Sequence, residues 1–283
     1  MVRIQAVGGP TAILEVGGLR LLTDPTFDPP GDYPRPDGPT LVKLAPPAVS
    51  PDDLGRVDAV LLSHDQHADN LDRSGRAYLA RVPVTLTTPS GSARLTRDWA
   101  AAGPAGNGQP TEPDGQPRAQ GLAPWDQVDL PRPDGGTLRV TAVPARHGPE
   151  GCEPVSGEVT GFVLTAADLP TIYVSGDNAW LGAVEQVAER FGPVGVAVLF
   201  TGAARFPDRF DGALLTLDSA GAAAAARILG AEAVVPVHYT GWRHFTEDGA
   251  ELRAAFEQAG LAGRLVLLAP GESAALIPAR HVA

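Results

Sequence analysis

The sequence of 283 residues contains a single cysteine, Cys152. An internal disulfide is therefore impossible, and a zinc cluster built from several cysteine thiolates is excluded as well. Cys152 lies in a loop rich in Gly and Glu, and no motif pairs it with a histidine. We therefore do not expect it to act as a nucleophile.

Long apolar segments and positive charge are also scarce. No stretch reaches the roughly 20 apolar residues that span a bilayer, and residues 1–6 lack the apolar core of a signal peptide. The formal net charge of −11 argues against nucleic acid, because phosphate backbones are bound by clustered Lys and Arg. We expect a cytoplasmic protein that acts on a small-molecule substrate, without nucleic acid or membrane as a partner. Its oligomeric state stays open, and a homo-oligomer is compatible with the sequence.

The composition is that of a globular protein with a substantial core, since 43% of the residues are hydrophobic and 19% are charged. The 33 glycines and 28 prolines favour many loops and turns over a helical bundle. Residues 103–120 are dense in Gly, Pro, Gln and Asn, and strand patterns resume on both sides of them. We therefore expect one domain over residues 1–283 with a surface loop at about 103–120.

Hydrophobic patterning predicts a strand-rich first half and an alternating second half. The predicted strands are 11–16, 18–24, 57–63, 82–87, 138–144, 161–165, 171–175, 195–200, 233–237 and a closing strand at 264–269. The predicted helices are 73–81, 92–102, 180–190, 218–229 and 246–258. This order of elements predicts an α/β (α+β) fold in which two mixed β-sheets are covered on the outside by helices.

Histidine is rare, with six residues in the chain, yet four of them follow predicted strands. His64 and His67 share the loop after one strand, and His147 and His238 follow two others. A lone histidine near a strand end is more often a hydrogen-bonded structural residue than a ligand, but four such placements are unlikely to be independent accidents. Strand ends are rigid supports on which side chains can converge. His281, near the C-terminus, is not expected to take part.

The order of these segments resembles the metallo-β-lactamase superfamily and, within it, the branch of the L-ascorbate-6-phosphate lactonases. The resemblance covers almost the whole chain and rests on GGLRLLTDP at 17–25, SHDQHADNLD at 63–72, PARH at 144–147, SGD at 175–177 and VHY at 237–239. It implies a four-layer αββα sandwich. It also implies a metal-dependent hydrolase in which a hydroxide held by the metal attacks a small ester, lactone or phosphodiester.

The resemblance further implies two metal positions that share one ligand. His64, His67 and His147 would form the first position, Asp69 and His238 would serve the second, and Asp177 would bridge them. Imidazole and carboxylate ligands together suit zinc or manganese, and they are also compatible with iron or nickel.

The loop departs from the superfamily pattern of His-any-His-any-Asp-His at its beginning. His67 and Asp69 match the pattern, but Asp65 stands where the first histidine is expected. We favour His64 as the ligand, with Gln66 absorbed by a backbone bulge, and keep Asp65 as the alternative.

The same loop departs from the pattern at its end, where Asn70 replaces the last histidine. An amide oxygen binds borderline metals less strongly than imidazole. We therefore expect one firmly bound metal and a second that is weak, exchangeable or absent. A metal-binding protein without catalytic activity, with a degraded second position, is the alternative function.

Two aspartates have assigned roles. Asp69 is the expected catalytic residue: it would orient the attacking water and carry the proton to the leaving group, although an Asp here would also suit a turn. Asp24, which precedes Pro25, is expected either to support a ligand histidine from outside the metal's first shell or to form a turn.

The segment after His238 carries aromatic residues that could line a pocket or pack in the core. We expect Tyr239 and His244 in the substrate pocket and Trp242 in the core. Arg146 and Arg205 are candidates for binding an anionic group, although most arginines are simply surface residues.

Overall fold

The structure, a computed structural model, describes residues 1–35, 38–102 and 118–277. Within these ranges the strands are β1 (Val2–Gly8), β2 (Thr11–Val16), β3 (Leu19–Thr23), β4 (Gly31–Arg35), β5 (Gly38–Lys43), β6 (Ala59–Leu61), β7 (Val84–Thr87), β8 (Arg118–Gly121), β9 (Gln127–Pro131), β10 (Thr137–Pro144), β11 (Thr160–Thr165), β12 (Ile172–Val174), β13 (Val196–Phe200), β14 (Ala233–Val237) and β15 (Ser273–Leu276). The helices are α1 (Arg73–Leu79), α2 (Pro89–Ala102), α3 (Glu153–Ser156), α4 (Leu181–Phe191), α5 (Ser219–Ile228) and α6 (Gly249–Gln258).

Two mixed sheets form the centre of the fold. The first has the strand order β15-β1-β2-β3-β6-β7-β8, and the second has the order β14-β13-β12-β11-β10-β9. In the first sheet β3, β6, β7 and β8 pair in parallel, and in the second sheet β12, β13 and β14 pair in parallel. A separate hairpin joins β4 and β5.

Three apolar layers separate four layers of secondary structure. Residues such as Leu14 on β2 and Phe162 on β11 pack between the two sheets. The other face of the first sheet packs against α1 and α2, and the other face of the second sheet packs against α4, α5 and α6. This arrangement confirms the predicted αββα sandwich.

The strand β13 shows why the buried parallel strands have continuous apolar sequences. All five of its residues are buried: Val196, Val198 and Phe200 face the other sheet, and Ala197 and Leu199 face the helices. A parallel strand with both faces covered reads as an uninterrupted hydrophobic run rather than as an alternation.

The alanine-rich segment forms α5 as predicted. The Asp218 side chain accepts a hydrogen bond from the Gly221 backbone N–H at 2.7 Å and caps the helix. Ala222 and Ala226 are buried beside α4 and α6. The small side chains thus serve close helix packing. None of the helices in the described part of the chain is long and apolar enough to cross a membrane.

The predicted closing strand at 264–269 is wrong. The chain forms a short 3-10 helix at Ala262–Arg264 and then runs beside β14 with a single isolated bridge, between Leu265 and Val234. Pro270 has no N–H to donate to a sheet, and Gly271 turns the chain with a φ of 94°. The closing strand is therefore β15, which pairs antiparallel with β1.

The predicted surface loop at about 103–120 is wrong at its end. Residues 118–121 form β8, which pairs in parallel with β7. Residues 103–117 lie outside the described part of the chain.

Candidate metal centre

The candidate ligands meet at the ends of strands from both sheets. Asp24 follows β3, the segment His64–Asp69 follows β6, His147 follows β10, Asp177 follows β12 and His238 follows β14. Because β6, β12 and β14 lie in parallel portions of their sheets, their carboxyl ends carry these loops to one edge.

The structure brings the six candidate ligands together as two buried groups. His64, His67 and His147 offer ligand atoms within 4.8 Å of one another, and Asp69, Asp177 and His238 do the same. None of the six is more than 5% exposed. These are the two sets that the resemblance implied, with Asp177 in the second group.

The outer nitrogen of His64 is fixed by a chain of hydrogen bonds. The Ser63 hydroxyl donates to Asp24 Oδ2 at 2.5 Å and lies 2.9 Å from His64 Nδ1. Since the hydroxyl has one proton, it accepts from His64 Nδ1–H and leaves the lone pair of His64 Nε2 for a metal. Asp24 thus supports His64 through Ser63.

The other two imidazoles of this group complete a three-nitrogen cradle. His147 Nδ1 donates to the Leu215 carbonyl at 2.8 Å, which leaves Nε2 as its lone-pair atom. His67 Nδ1 lies 2.9 Å from His64 Nε2. The ring centroids of His64 and His67 lie 5.3 Å and 5.1 Å from that of His147.

The second group has the spacing of ligands around one cation. His238 Nε2 lies 3.4 Å from Asp69 Oδ2 and 3.6 Å from Asp177 Oδ1. Two ligand atoms at zinc distances and tetrahedral angles are about 3.4 Å apart. Asp69 Oδ1, Asp177 Oδ2 and both ring nitrogens of His238 have no hydrogen-bond partner among the described residues. Such buried atoms are costly to leave unpaired, so a divalent cation fits this donor set.

Burial controls the protonation of the imidazoles. It lowers the pKa of His64 and His67 well below the ordinary value, and the neighbouring imidazoles lower both further. Burial also lowers the pKa of His147, to about 4. These histidines are neutral near pH 7, which is the form that binds metal.

The carboxylates are held in different states. Burial raises the pKa of Asp69, but the adjacent imidazoles of His238 and His244 outweigh it and hold that pKa well below its usual range. Burial and the charges of Asp69 and Asp24 raise the pKa of Asp177 well above its usual range. Burial also raises the pKa of Asp24, to about 7. In the absence of a cation, the neighbouring carboxylates of Asp69 and Asp177 do not both ionise readily.

Asn70 takes a supporting position between carboxylates. Its Nδ2 donates to Asp24 Oδ2 at 2.9 Å and to Asp177 Oδ1 at 3.2 Å. Its Oδ1 has no partner among the described residues. The amide nitrogen, and not the oxygen, therefore faces the second group.

Asp65 points away from both groups. Its carboxylate receives hydrogen bonds from Arg94 Nε at 3.0 Å and Nη2 at 2.5 Å, and Arg76 Nη2 donates to its backbone carbonyl at 2.9 Å. The structure thus places the imidazole of His64, and not Asp65, beside His67 and His147.

The far end of this loop is anchored by Asp72. Its side chain accepts from the backbone N–H of Gly75 at 2.8 Å, which caps α1, and from the backbone N–H of Asp28 at 2.7 Å. Lys43 Nζ adds a buried ion pair at 3.1 Å. The loop is therefore held at both ends.

Two residues at the centre have a left-handed backbone. Asp24 has a φ of 25° and His238 a φ of 60°, which costs L-residues other than glycine energy and is concentrated at functional sites. Gly176, directly before Asp177, has a φ of 58°, and a Cβ there would lie 2.5 Å from the Thr160 carbonyl oxygen. Only glycine fits this approach.

A narrow cleft, open to solvent, leads to the two groups. Its lining includes His67, Asp69 and His147 together with His244, whose Nε2 lies 2.9 Å from Asp69 Oδ2. The expectation that His244 lines a pocket agrees with this position. His244 also stacks on Phe206, with ring centroids 5.1 Å apart.

The other expected pocket residues lie elsewhere. Tyr239 packs in the layer between the second sheet and the helices, with its hydroxyl 3.4 Å from the Leu268 carbonyl. Arg146 stacks on Trp180 and faces a neighbouring cleft on the other side of His147. Arg205 bonds Thr246 Oγ1 at 3.0 Å.

The remaining candidates either are buried away from the two ligand groups or lie outside the described residues. Trp242 is buried beside Tyr33, as expected for a packing residue. Cys152 is buried, and burial raises the pKa of its thiol. His281 lies outside the described residues.

Sequence reasoning missed Arg35 and Arg209, which also line the cleft. Neither belongs to a motif, and only the folded chain brings them to the centre. It also missed the part played by Ser63.

A four-layer sandwich with histidine and aspartate groups at its strand ends defines a metallo-β-lactamase fold. The sequence model of the family described as the beta-lactamase superfamily domain matches residues 19–239, and the chain belongs to this superfamily.

Several curated relatives carry the name UPF0173 metal-dependent hydrolase. One from Pyrococcus horikoshii is 27% identical over 80% of this chain and 84% of its own length. Another, from Pelotomaculum thermopropionicum, is 34% identical over 50% of this chain, and the match spans 57% of that relative.

Solved structures share the fold. An isothiocyanate hydrolase from Delia radicum gut bacteria has a TM-score of 0.76 with 23% identity, covering 97% of this chain and 98% of its own. A possible metal-dependent hydrolase from Veillonella parvula has a TM-score of 0.78 with 19% identity, covering 98% of this chain and 100% of its own.

Proposed function

We propose that this protein is a metal-dependent hydrolase that cleaves a small ester, lactone or phosphodiester at the centre formed by His64, His67, His147, Asp69, Asp177 and His238. The observation that carries the proposal is the set of buried, partnerless polar atoms of Asp69, Asp177 and His238 beside three neutral imidazoles. A purely structural cluster would satisfy these atoms with hydrogen bonds.

Zinc or manganese suits this donor set, and His64, His67 and His147 would hold one ion firmly. A bound divalent cation lowers the pKa of water from 15.7 to about 7 and polarises the oxygen of the electrophile.

The protein's own residues orient the attacking water and protonate the leaving oxygen. Asp69 Oδ2 accepts from His244, which leaves Oδ1 to accept a hydrogen bond from the attacking water. Asp69 is the candidate for taking a proton from water and delivering it to the leaving oxygen, because no described residue occupies its Oδ1.

The alternative is a metal-binding protein without catalysis, and the position of Asn70 favours it. The Asn70 amide nitrogen faces the carboxylates that would serve the second cation, so that cation loses a ligand. The two functions predict different responses to added metal.

The test is turnover of 4-nitrophenyl acetate, a γ-lactone and bis(4-nitrophenyl) phosphate, after chelation and with zinc or manganese restored. We expect metal-restored activity on at least one substrate. Replacing the candidate base, Asp69→Asn, should lower kcat by at least about 100-fold, and the matched control Asp129→Asn, in an exposed pair on β9 and β10, should not. Stoichiometric metal without turnover of any substrate would support the binding protein instead.

A further inference from the structure

Three separate parts of the chain contribute apolar side chains to the narrow cleft beside the candidate centre. Leu41 lies on β5, Val155 lies on α3, and Phe206 and Phe210 lie in the connection between β13 and α5. The proposed hydrolysis gives none of these four side chains a role. Apolar side chains around a few polar groups are typical of a site that binds a small organic molecule.

Val155 leaves apolar surface exposed beside the cleft. Among the residues that the structure describes, the strongly exposed large hydrophobic side chains are those of Met1, Leu44, Val155 and Ile277. Of these, Val155, at 48% exposed, lines the cleft. An apolar group that covered this side chain would remove apolar surface from water, which is favourable.

The ring of Phe210 is held at the cleft against a conformational penalty. Phe210 has a φ of 49°, and the next residue, Asp211, has a φ of 54°. This left-handed backbone is strained for a bulky residue. Such strain persists where the surrounding structure enforces it, and it is concentrated at catalytic and ligand-binding sites. The conformation of Phe210 is therefore evidence for a role of its ring in the cleft.

Phe206 brings the apolar lining next to the reacting groups. Its ring stacks on that of His244, with centroids 5.1 Å apart and an angle of 18° between the planes. His244 Nε2 in turn lies 2.9 Å from Asp69 Oδ2. The apolar surface therefore begins one side chain away from the candidate base, where it meets the atoms attached to the carbon that water attacks.

The arginines that line the cleft have charges or partners of their own nearby. Arg209 takes part in another interaction. Burial lowers the pKa of Arg35, and the charge of Asp69 raises it. These two arginines therefore do not by themselves require a charged substrate.

We propose that Val155, Phe206 and Phe210 bind the acyl chain of the substrate, so that the substrate is an uncharged ester with a short apolar acyl chain. The narrow cleft favours a slim chain over a bulky one. The substrate assignment rests on the proposed hydrolysis. The apolar side chains only bind, and bond cleavage and proton transfer stay those of ester hydrolysis.

The first test varies the acyl chain and keeps the leaving group. The substrates are the 4-nitrophenyl esters of acetate, butanoate and methoxyacetate, in which an ether oxygen replaces one methylene group of butanoate. The measured quantity is kcat/KM divided by the rate constant for hydroxide attack on the same ester, which corrects for intrinsic reactivity. We expect butanoate to exceed acetate by about 15-fold, which is about fourfold for each of two buried methylene groups. Methoxyacetate should lose most of this gain.

Substitutions in the apolar lining should reduce this preference. Val155→Thr replaces a methyl group by a hydroxyl group of similar size, and Phe210→Ala removes the ring. We expect the butanoate-to-acetate ratio to fall at least about threefold in each variant, whereas Phe210→Leu should keep most of it. The matched control is Leu44→Gln, at an apolar residue that is 54% exposed and does not line the cleft, and it should leave the ratio unchanged.

A calorimetric titration measures the same contact without turnover. The probes are acetohydroxamic acid and butanohydroxamic acid, which share a metal-chelating group and differ in chain length. We expect the longer chain to bind the zinc-loaded protein about tenfold more tightly, in line with two buried methylene groups. This advantage should fall at least about threefold in Val155→Thr and in Phe210→Ala.

Equal rates with acetate and butanoate, or a preference that both substitutions leave intact, would overturn the acyl-chain site. A preference for 4-nitrophenyl hydrogen glutarate over 4-nitrophenyl pentanoate would overturn it as well, because the favoured chain would then be charged. A wild-type protein that hydrolyses none of the esters, yet binds the longer hydroxamic acid more tightly through Phe210, would contradict the proposed hydrolysis and not the apolar site.

Discussion

The two candidate metal positions differ in how their ligands are supported. In the three-histidine group the outer nitrogens of His64 and His147 are held by Ser63 and the Leu215 carbonyl. In the mixed group, His238 Nδ1 makes no hydrogen bond of normal geometry with the described residues, although the Thr201 backbone lies near this imidazole. Ligand histidines usually donate this second N–H, which fixes the ring and strengthens the ligand.

This difference explains why one position should bind metal more firmly than the other. The first position is oriented before the metal arrives. The second needs a cation to hold its ring, and the amide of Asn70 supplies no imidazole there. The asymmetry expected from the motif thus has a second cause, in the support of His238.

The largest expected effect comes from removing a ligand of the supported group. His147→Ala should abolish the firmly bound metal and the activity, with a loss of affinity beyond the roughly 10- to 100-fold typical of an outer hydrogen bond. His238→Ala should retain one equivalent of metal after dialysis. Metal analysis of both variants checks this pair.

The matched pair is informative because both residues are buried and follow strands of the second sheet. Equal metal loss in the two variants would break the comparison. Far-UV circular dichroism of each variant controls for folding.

The next effect concerns His244, which touches Asp69 from outside the mixed group. His244→Ala should lower kcat by about 10- to 100-fold, because Asp69 loses the hydrogen bond that fixes its carboxylate. His244→Gln keeps an N–H donor and should recover part of that loss. Metal content should be unchanged in both variants, and loss of the firmly bound metal would make His244 a ligand instead.

A smaller gain is expected from completing the mixed group. Asn70→His should raise the affinity for the second metal by about tenfold, near the lower end of the effects seen around metal sites. The added imidazole is a better ligand for zinc than an amide, but the fully buried position must make room for it. Calorimetric titration with zinc after dialysis measures the second equivalent. If the stoichiometry and the affinity are unaltered, Asn70 is not the cause of weak binding of the second metal.

The strand-end ligands could be predicted because their signal is local. His64 and His238 follow continuous apolar runs, and His147 comes three residues after the end of the partly polar strand β10. The position of Tyr239 could not be predicted in this way. His238 has a φ of 60°, so the alternation of the strand does not continue beyond it, and Tyr239 turns into the helix-facing layer.

Features that depend on contacts between distant parts of the chain also could not be predicted from the sequence. Arg35 and Arg209 meet only because the β4–β5 hairpin and the connection after β13 fold over the same cleft. The four-residue strand β15 is recognisable only through its pairing with β1. Neither arrangement has a local pattern.

The smallest effect on metal binding is expected at Asp65, the alternative ligand in the irregular loop. Its carboxylate is occupied by Arg94, so Asp65→Asn should leave the affinity of the three-histidine group within about twofold, a change that is small beside the loss of a supporting hydrogen bond. The same change should lower the free energy of unfolding by about 1–3 kcal/mol, because a charged hydrogen bond is lost from a buried carboxylate.

Urea unfolding of the metal-free protein measures that loss, and zinc titration measures the affinity. Asp129→Asn, in an exposed pair with Arg139, is the control for removing a carboxylate that pairs with an arginine. A large loss of zinc affinity in Asp65→Asn would show that the carboxylate of Asp65 is a ligand in the three-histidine group. The contrast between an all-imidazole position and a mixed position would then no longer hold.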